Sequence, residues 1–273
     1  MRLDRHAPGL SPAVRQSARL AGWVVGLEAA VSAVGGLLER HRAGSIAVQA
    51  FVAEWGAGRL GVAWSDPEAS PPTLRIVLRR MGGGFALGAL VAVMALAFAA
   101  ASRAVAFTSP HAPGFDLLLG LVIAGLLAMR DELILRGLVL RAFGHTLSRP
   151  LQLAACGVVA AAARLGQLEG SPLSALSHTP GVVSVVNAAL AAVCFAVLWL
   201  HQRGAFMACG ADAAWRLTTT TAISGGVCDG FWRTSALGGG GFGVDASLAV
   251  TAVLAVVTVS VLFAWYRRGA RTR

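Results

Sequence analysis

The sequence predicts an all-α membrane protein with about six transmembrane helices and an N-terminal amphipathic helical region. Of its 273 residues, 56% are hydrophobic and only 13% are charged, whereas soluble domains carry about 25% charged residues. Several apolar runs reach the roughly 20 residues that cross a bilayer as a helix. No long segment alternates apolar and polar residues as a half-buried strand does. These observations exclude a disordered chain and disfavour an ordinary soluble domain.

Residues 1–73 are predicted to form an N-terminal interfacial helical region followed by a linker. The stretch 20–38 is mostly apolar but has Glu28 at its middle, and the stretch 43–64 mixes apolar residues with Glu54 and Arg59. Such stretches are typical of helices that lie in the interface. One additional pair of spans is the alternative, and the pattern leaves it open. The turn-rich segment 66–72 (DPEASPP) predicts the boundary with a second domain, residues 74–273.

The second domain contains six candidate spans. The first, fourth and sixth are clear apolar runs, whereas the second, third and fifth carry charged residues. In order, the spans lie near 82–102, 115–140, 151–170, 181–201, 204–222 and 246–266. The glycine-rich segment 224–245 predicts an extramembrane loop, because the strand and helix that flank a phosphate-binding loop are absent.

The arginines predict how the chain is oriented. All 23 basic residues are Arg, and they cluster at the ends of apolar runs, so the net charge of +10 does not indicate a nucleic-acid partner. If 75–80 is cytoplasmic, the inside loops hold ten arginines and the outside loops only Arg103 and Arg233. Positive loops are cytoplasmic, which predicts a protein of the inner (plasma) membrane with both termini inside and the lipid bilayer as its main partner.

The four cysteines are predicted to be small buried hydrophobic residues. Their spacing matches neither a CxxC metal site nor a disulfide framework. They are Cys156, Cys194, Cys209 and Cys228.

Seven ionisable residues fall inside the apolar runs, where each costs about 2.5–3.5 kcal/mol at mid-membrane, so pairing is expected. They are Arg130, Asp131, Glu132, Arg136, Arg164, Asp212 and Arg216. Arg130 and Asp131 are expected to point away from the other charges of their helix, which makes Asp131 a candidate partner of Arg164 on the next helix.

Four of these residues form two couples with helical spacing. Glu132 and Arg136 are four residues apart, as are Asp212 and Arg216, so each couple shares one helix face. Two interpretations remain open: a buried ion-pair network that fixes helix packing, and a polar active site within the membrane.

Four segments then resemble a known family. Residues 131–137 (DELILRG) resemble the EExxxRG motif of the CAAX prenyl protease and bacteriocin-processing family (CPBP, or Abi), which are intramembrane metalloproteases. Residues 164–167 (RLGQ) are similar to its second motif, often HLGN, and Asn187 begins a run similar to its third segment. Residues 209–216 (CGADAAWR) resemble its IGxHAAWN stretch, and 239–247 resemble its glycine-rich loop. The resemblance covers roughly 80–266 and implies the helical fold of that family.

The resemblance implies a catalytic site in which two glutamates, two histidines and an asparagine hold or polarise a metal and a water. Carried over onto this chain, the first glutamate is Asp131, the second is Glu132, and the motif arginine is Arg136. These three are the candidate catalytic residues, with Glu132 as a possible general base.

The remaining positions depart from the family pattern. The aromatic of the second motif is matched by Ala160 and its histidine by Arg164. The histidine and the asparagine of the last motif are matched by Asp212 and Arg216. Both catalytic histidines are therefore replaced.

These replacements argue against a metal. Zinc prefers imidazole or thiolate ligands with carboxylates as supplements, and the permanently charged guanidinium of Arg164 repels a cation. We therefore expect no cofactor, or zinc if the site is active after all. The chain's histidines all lie in predicted tails, loops or span ends: His6, His41, His111, His145, His178 and His201.

The leading hypothesis is a pseudoprotease, a non-catalytic member of the family that binds a peptide, a lipidated chain end or another membrane protein. The first alternative is an active intramembrane endopeptidase that uses Asp131, Glu132 and Asp212 in peptide maturation or self-protection. A structural subunit of a membrane complex is the third hypothesis. A transporter is disfavoured, because the chain shows no internal repeat and few spans.

Overall fold

The computed structural model describes residues 11–38, 42–65, 71–107, 114–167, 179–221, 232–234 and 246–271. Nearly all of this part is helical. The α-helices are α1 Pro12–Leu37, α2 Arg42–Arg59, α3 Leu74–Ala101, α4 Gly114–Asp131, α5 Val139–Phe143, α6 Arg149–Gln167, α7 Thr179–Gln202, α8 Phe206–Arg216 and α9 Leu248–Arg271. Two π-helical segments interrupt them, π1 Glu132–Leu138 and π2 Leu217–Thr221. Two short strands, β1 Val105–Phe107 and β2 Trp232–Thr234, pair antiparallel.

Within the described residues, four helices are long and apolar enough to cross a membrane: Pro12–Leu37, Leu74–Ala101, Thr179–Gln202 and Leu248–Arg267. The last three coincide with the three clear spans that the sequence predicts. The first lies in the N-terminal region, where an interfacial helix was favoured, and its best window has a mean hydropathy of 1.6. A helical membrane protein is therefore confirmed, and the count of six spans stays a prediction.

The apolar helices expose large side chains in the way that a lipid-facing surface does. On α3, Leu90, Val93, Met94 and Phe98 are each at least half exposed. A water-soluble monomer rarely leaves so large an apolar surface uncovered. This surface indicates a bilayer environment.

The segment π1 lies at the centre of the molecule, and all seven of its residues are buried. Helices α1, α2, α6 and α7 all contact it. Gly137 permits part of this packing, because a Cβ there would lie 2.7 Å from Val62 Cγ1 and 2.8 Å from the Trp199 ring. A π turn holds one more residue than an α turn and often marks a functional site. Nothing in the sequence predicts this departure from the α-helix.

Helices α3 and α8 cross at backbone contact because glycines line the crossing. A Cβ on Gly84 would collide with the Met207 carbonyl, and one on Gly88 with the Ala211 carbonyl. Gly210 on α8 lies equally close to the backbone of Met81 on α3. Small residues four positions apart are a common device for close helix packing in membranes. The crossing fixes the position of α8, which carries two of the candidate site residues.

The N-terminal helices share a hydrophobic core with the rest of the described chain. Leu27 and Val31 of α1 and Ala53 of α2 pack in one cluster with Ile134 and Leu138 of π1. The shared cluster shows that residues before and after position 73 pack against each other. The domain boundary at residue 73 stays a prediction. Whether α1 and α2 lie on the membrane or in it also stays open.

Several predictions fall wholly or partly outside the described residues. These include most of the linker 66–72, the loop 224–245, Cys228, and the histidines at positions 6, 41, 111 and 178. Cys156, Cys194 and Cys209 are buried and free, as predicted.

Candidate functional site

Six charged side chains form a line of alternating sign, which we call the charge chain. Its order is Arg130, Asp131, Arg216, Asp212, Arg136 and Glu132. The Arg216 guanidinium bonds Asp131, and its Nε lies 2.9 Å from Asp212 Oδ1. Arg136 Nη1 lies 3.0 Å from Asp212 Oδ2 and 2.8 Å from Glu132 Oε1. Both couples predicted from helical spacing are confirmed, and the six formal charges cancel.

The connections of Asp131 differ from those that the sequence predicts. Arg130 Nε lies 2.6 Å from Asp131 Oδ1, and Arg216 of another helix bonds the second oxygen. The expected ion pair between Asp131 and Arg164 is not formed. Arg164 Nε instead donates to Ser184 Oγ at 2.8 Å. Spacing along one helix does not specify which neighbouring helix turns its arginine toward a carboxylate.

Three side chains of the N-terminal region join the site, and none of them was predicted as a site residue. Arg130 Nη1 donates to Gln49 Oε1 at 2.7 Å, and Gln49 Nε2 donates to Ser45 Oγ at 3.1 Å. Glu28 on α1 lies within electrostatic reach of Arg130 and hydrogen-bonds Gln167. The signal in the sequence was Glu28 itself, a carboxylate in the middle of an apolar run. Helices α1 and α2 therefore help to build the site.

The contact between Gln49 and Arg130 is open to a direct test. Replacing Gln49 by Met keeps the length of the side chain but removes the acceptor of the Arg130 N–H. A buried charged group without its partner costs about 1–3 kcal/mol, so we expect a loss of that size in the free energy of unfolding in detergent. The variant Ser45→Ala is the control. It removes the acceptor of the neutral Gln49 amide and should cost less, because an orphaned neutral donor costs less than an orphaned charged one. An equal loss in both variants would contradict a specific role for the bond to Arg130.

A cavity of about 110 Å³ lies beside the charge chain. Six of the seven positions matched to the family motifs line it: Asp131, Arg136, Ala160, Arg164, Asp212 and Arg216. Asn187, from the run similar to the third segment, also lines it. Residues from four helical runs thus meet around one space, and their roles stay a prediction.

Glu132 is the matched position that does not line the cavity. Its side chain is 0% exposed, and its Oε2 has no hydrogen-bond partner within the described part of the chain. A general base must reach the proton it removes, directly or through one water. In this arrangement Asp131 and Asp212, not Glu132, present carboxylates to the cavity.

The donor set does not fit a zinc ion. Both oxygens of Asp131 and both oxygens of Asp212 already accept from guanidinium groups. Arg164 and Arg216 add positive charge to the cavity wall, where a metal site needs neutral or negative ligands. No three His, Cys, Asp or Glu residues of the described ranges are grouped for a metal. The two described histidines, His145 and His201, lie in the turn after α5 and at the end of α7.

Comparisons with known proteins do not name this site. No protein-family model, no curated protein and no solved structure matches the chain.

Proposed function

We propose that this chain is a degenerate member of the CPBP (Abi) intramembrane protease family, a pseudoprotease that acts by binding or as a subunit of a membrane complex. The observation that carries the proposal is the charge chain. Asp212 and Arg216, at the positions of the family's last histidine and asparagine, bond to Arg136 and Asp131 of the first motif. The carboxylates that a metal would need as ligands are thus already bound by guanidinium groups.

The proposal extends to how the chain lies in the membrane. Six spans in the inner membrane, with both termini cytoplasmic, agree with the arginine distribution. The partner is then a peptide, a lipidated chain end or a second membrane protein that reaches the cavity from within the bilayer. The charge chain holds two of the four helical runs that line this cavity together, the run with Asp131 and Arg136 and the run with Asp212 and Arg216.

Metal content and peptide cleavage test the proposal. For the purified protein in detergent, titrated with zinc, we expect well under one bound zinc per chain and no cleavage of prenylated or short apolar peptides. The variant Glu132→Ala should leave both readouts unchanged. Stoichiometric zinc together with cleavage that Glu132→Ala abolishes would overturn the proposal.

A restoring variant is the positive control for these assays. The triple change Arg164→His, Asp212→His and Arg216→Asn returns the family's residues to the cavity. Two imidazoles then replace a guanidinium and a carboxylate, so we expect bound zinc to rise above the wild-type level.

The alternative function is an active intramembrane endopeptidase that matures a peptide or protects against one. The observation in its favour is that two carboxylates, those of Asp131 and Asp212, line the cavity. It predicts cleavage by the wild-type protein, and therefore the assays above separate it from the pseudoprotease.

A further inference from the structure

We propose that the cavity binds an amphiphilic anion, a carboxylate or phosphate head group on an apolar chain, with Arg164 as the residue that receives the head group. This inference rests on the proposed function in that it assigns a ligand to the same cavity.

Arg164 differs from the other guanidinium groups of the site. Arg130, Arg136 and Arg216 each bond at least one carboxylate. Within the described residues, Arg164 has only the hydroxyl of Ser184 as a partner. Its charge is therefore not matched by a direct contact with a carboxylate.

The charges and donors around Arg164 favour an anion. The cavity wall carries three guanidiniums and two carboxylates, and both carboxylates are already engaged by arginines of the charge chain. Gln167 and Ser184 line the same space as Arg164 and supply an amide and a hydroxyl donor. A guanidinium with neighbouring neutral donors is the standard receptor for a carboxylate or a phosphate. Glu28, outside the wall but bonded to Gln167, opposes this attraction in part.

An apolar groove adjoins the cavity. The groove has a volume of about 60 Å³ and lies between α3, α7, α8 and α9. Ala191, Phe195 and Trp215 line both the polar cavity and the apolar groove. Leu87, at the edge of the groove, is exposed on the lipid-facing side of α3. A ligand whose head group contacts Arg164 would therefore place its chain against Phe195, on the side of the apolar groove.

Three probes with the same chain separate the head group from the tail: decanoate, decyl phosphate and decanol. Binding to the full-length protein in a neutral detergent is measured by calorimetry, with each probe at the same mole fraction in the micelle. We expect at least one of the two anions to bind more tightly than decanol. Preference for decanoate would indicate a fatty carboxylate, and preference for decyl phosphate a lipid phosphate. Equal affinity for decanol and both anions would overturn the inference.

Two variants then test the residue. Arg164→Gln should weaken anion binding by roughly tenfold or more, because a charge-assisted hydrogen bond is lost, and should leave decanol binding unchanged. Arg164→Lys should retain part of the affinity. Glu28→Gln removes the opposing charge and should tighten anion binding by about threefold. This variant keeps Arg164, so the inference is still tested if Arg164→Gln folds poorly. Anion affinity that none of these variants alters would overturn the inference, whereas zinc-dependent cleavage would overturn only the pseudoprotease.

Discussion

Replacing Asp212 by Asn is expected to destabilise the protein by about 3–5 kcal/mol, the typical cost of removing one partner of a buried ion pair. Asp212 is nearly fully buried and accepts from both Arg136 and Arg216. An asparagine offers one oxygen and directs its amide donors at the second guanidinium. The charge chain is then left with one uncompensated positive charge. The measurement is the free energy of unfolding in mixed detergent micelles.

The control for this variant is Glu54→Gln, which removes a negative charge outside the charge chain. Glu54 Oε2 accepts from Trp64 Nε1 at 2.7 Å, and a glutamine oxygen preserves that bond. We expect a loss in the free energy of unfolding below about 1 kcal/mol, as for other weakly coupled charges.

The double variant Asp212→Asn with Arg216→Gln restores neutrality and should recover about 1 kcal/mol or more relative to the sum of the single changes. Equal losses for Asp212→Asn and Glu54→Gln would show that the charge chain is not a stabilising unit.

Replacing Gly88 by Leu is expected to separate helices α3 and α8. A Cβ at this position would collide with the main-chain carbonyl of Ala211, which is part of a helix and cannot move aside alone. Overpacking against fixed backbone costs about 3 kcal/mol, and leucine is a good helix former, so propensity does not explain a loss. Because α8 carries Asp212 and Arg216, the shift also disrupts their bonds to the first motif.

Gly83 provides a matched control on the same helix. It is exposed, and a Cβ there would meet nothing within 4 Å. Gly83→Leu should therefore be neutral or slightly stabilising in a lipid or detergent environment. The thermal unfolding midpoint in detergent compares the two variants. If Gly83→Leu lowers it as much as Gly88→Leu does, the close crossing is not the cause.

The sequence predicted the helices better than it predicted their mutual orientation. The runs 82–102, 181–201 and 246–266 correspond to α3, α7 and α9, because long apolar runs are a strong local signal. The couples Glu132–Arg136 and Asp212–Arg216 were likewise predictable, since four-residue spacing fixes neighbours on one helix. Residues of the segments 131–137, 164–167 and 209–216 line one cavity, and the family assignment itself stays a prediction.

Contacts between helices were not predictable in the same way. The bond from Arg216 to Asp131 and the one from Arg130 to Gln49 depend on how each helix is rotated about its axis. For α8 the close crossing at Gly88 constrains that rotation, and within π1 the extra residue of the π turn shifts the direction of the side chains that follow it. Neither feature is visible in the apolar pattern from which helices are predicted, so the sequence left Arg164 as a candidate partner of Asp131.

The order of the pairs within the charge chain has a consequence for biosynthesis. Three of its five links join residues of the same helical run: Arg130 with Asp131, Glu132 with Arg136, and Asp212 with Arg216. Each run therefore carries no net charge from these residues. In the six-span arrangement proposed above, each run would leave the translocon for lipid before its partner has been synthesised, at a lower cost than unpaired charges impose. The two links between runs form only after both have been inserted. Helical runs that are each neutral by themselves and later gain the links between them thus allow a strongly charged centre to be assembled one segment at a time.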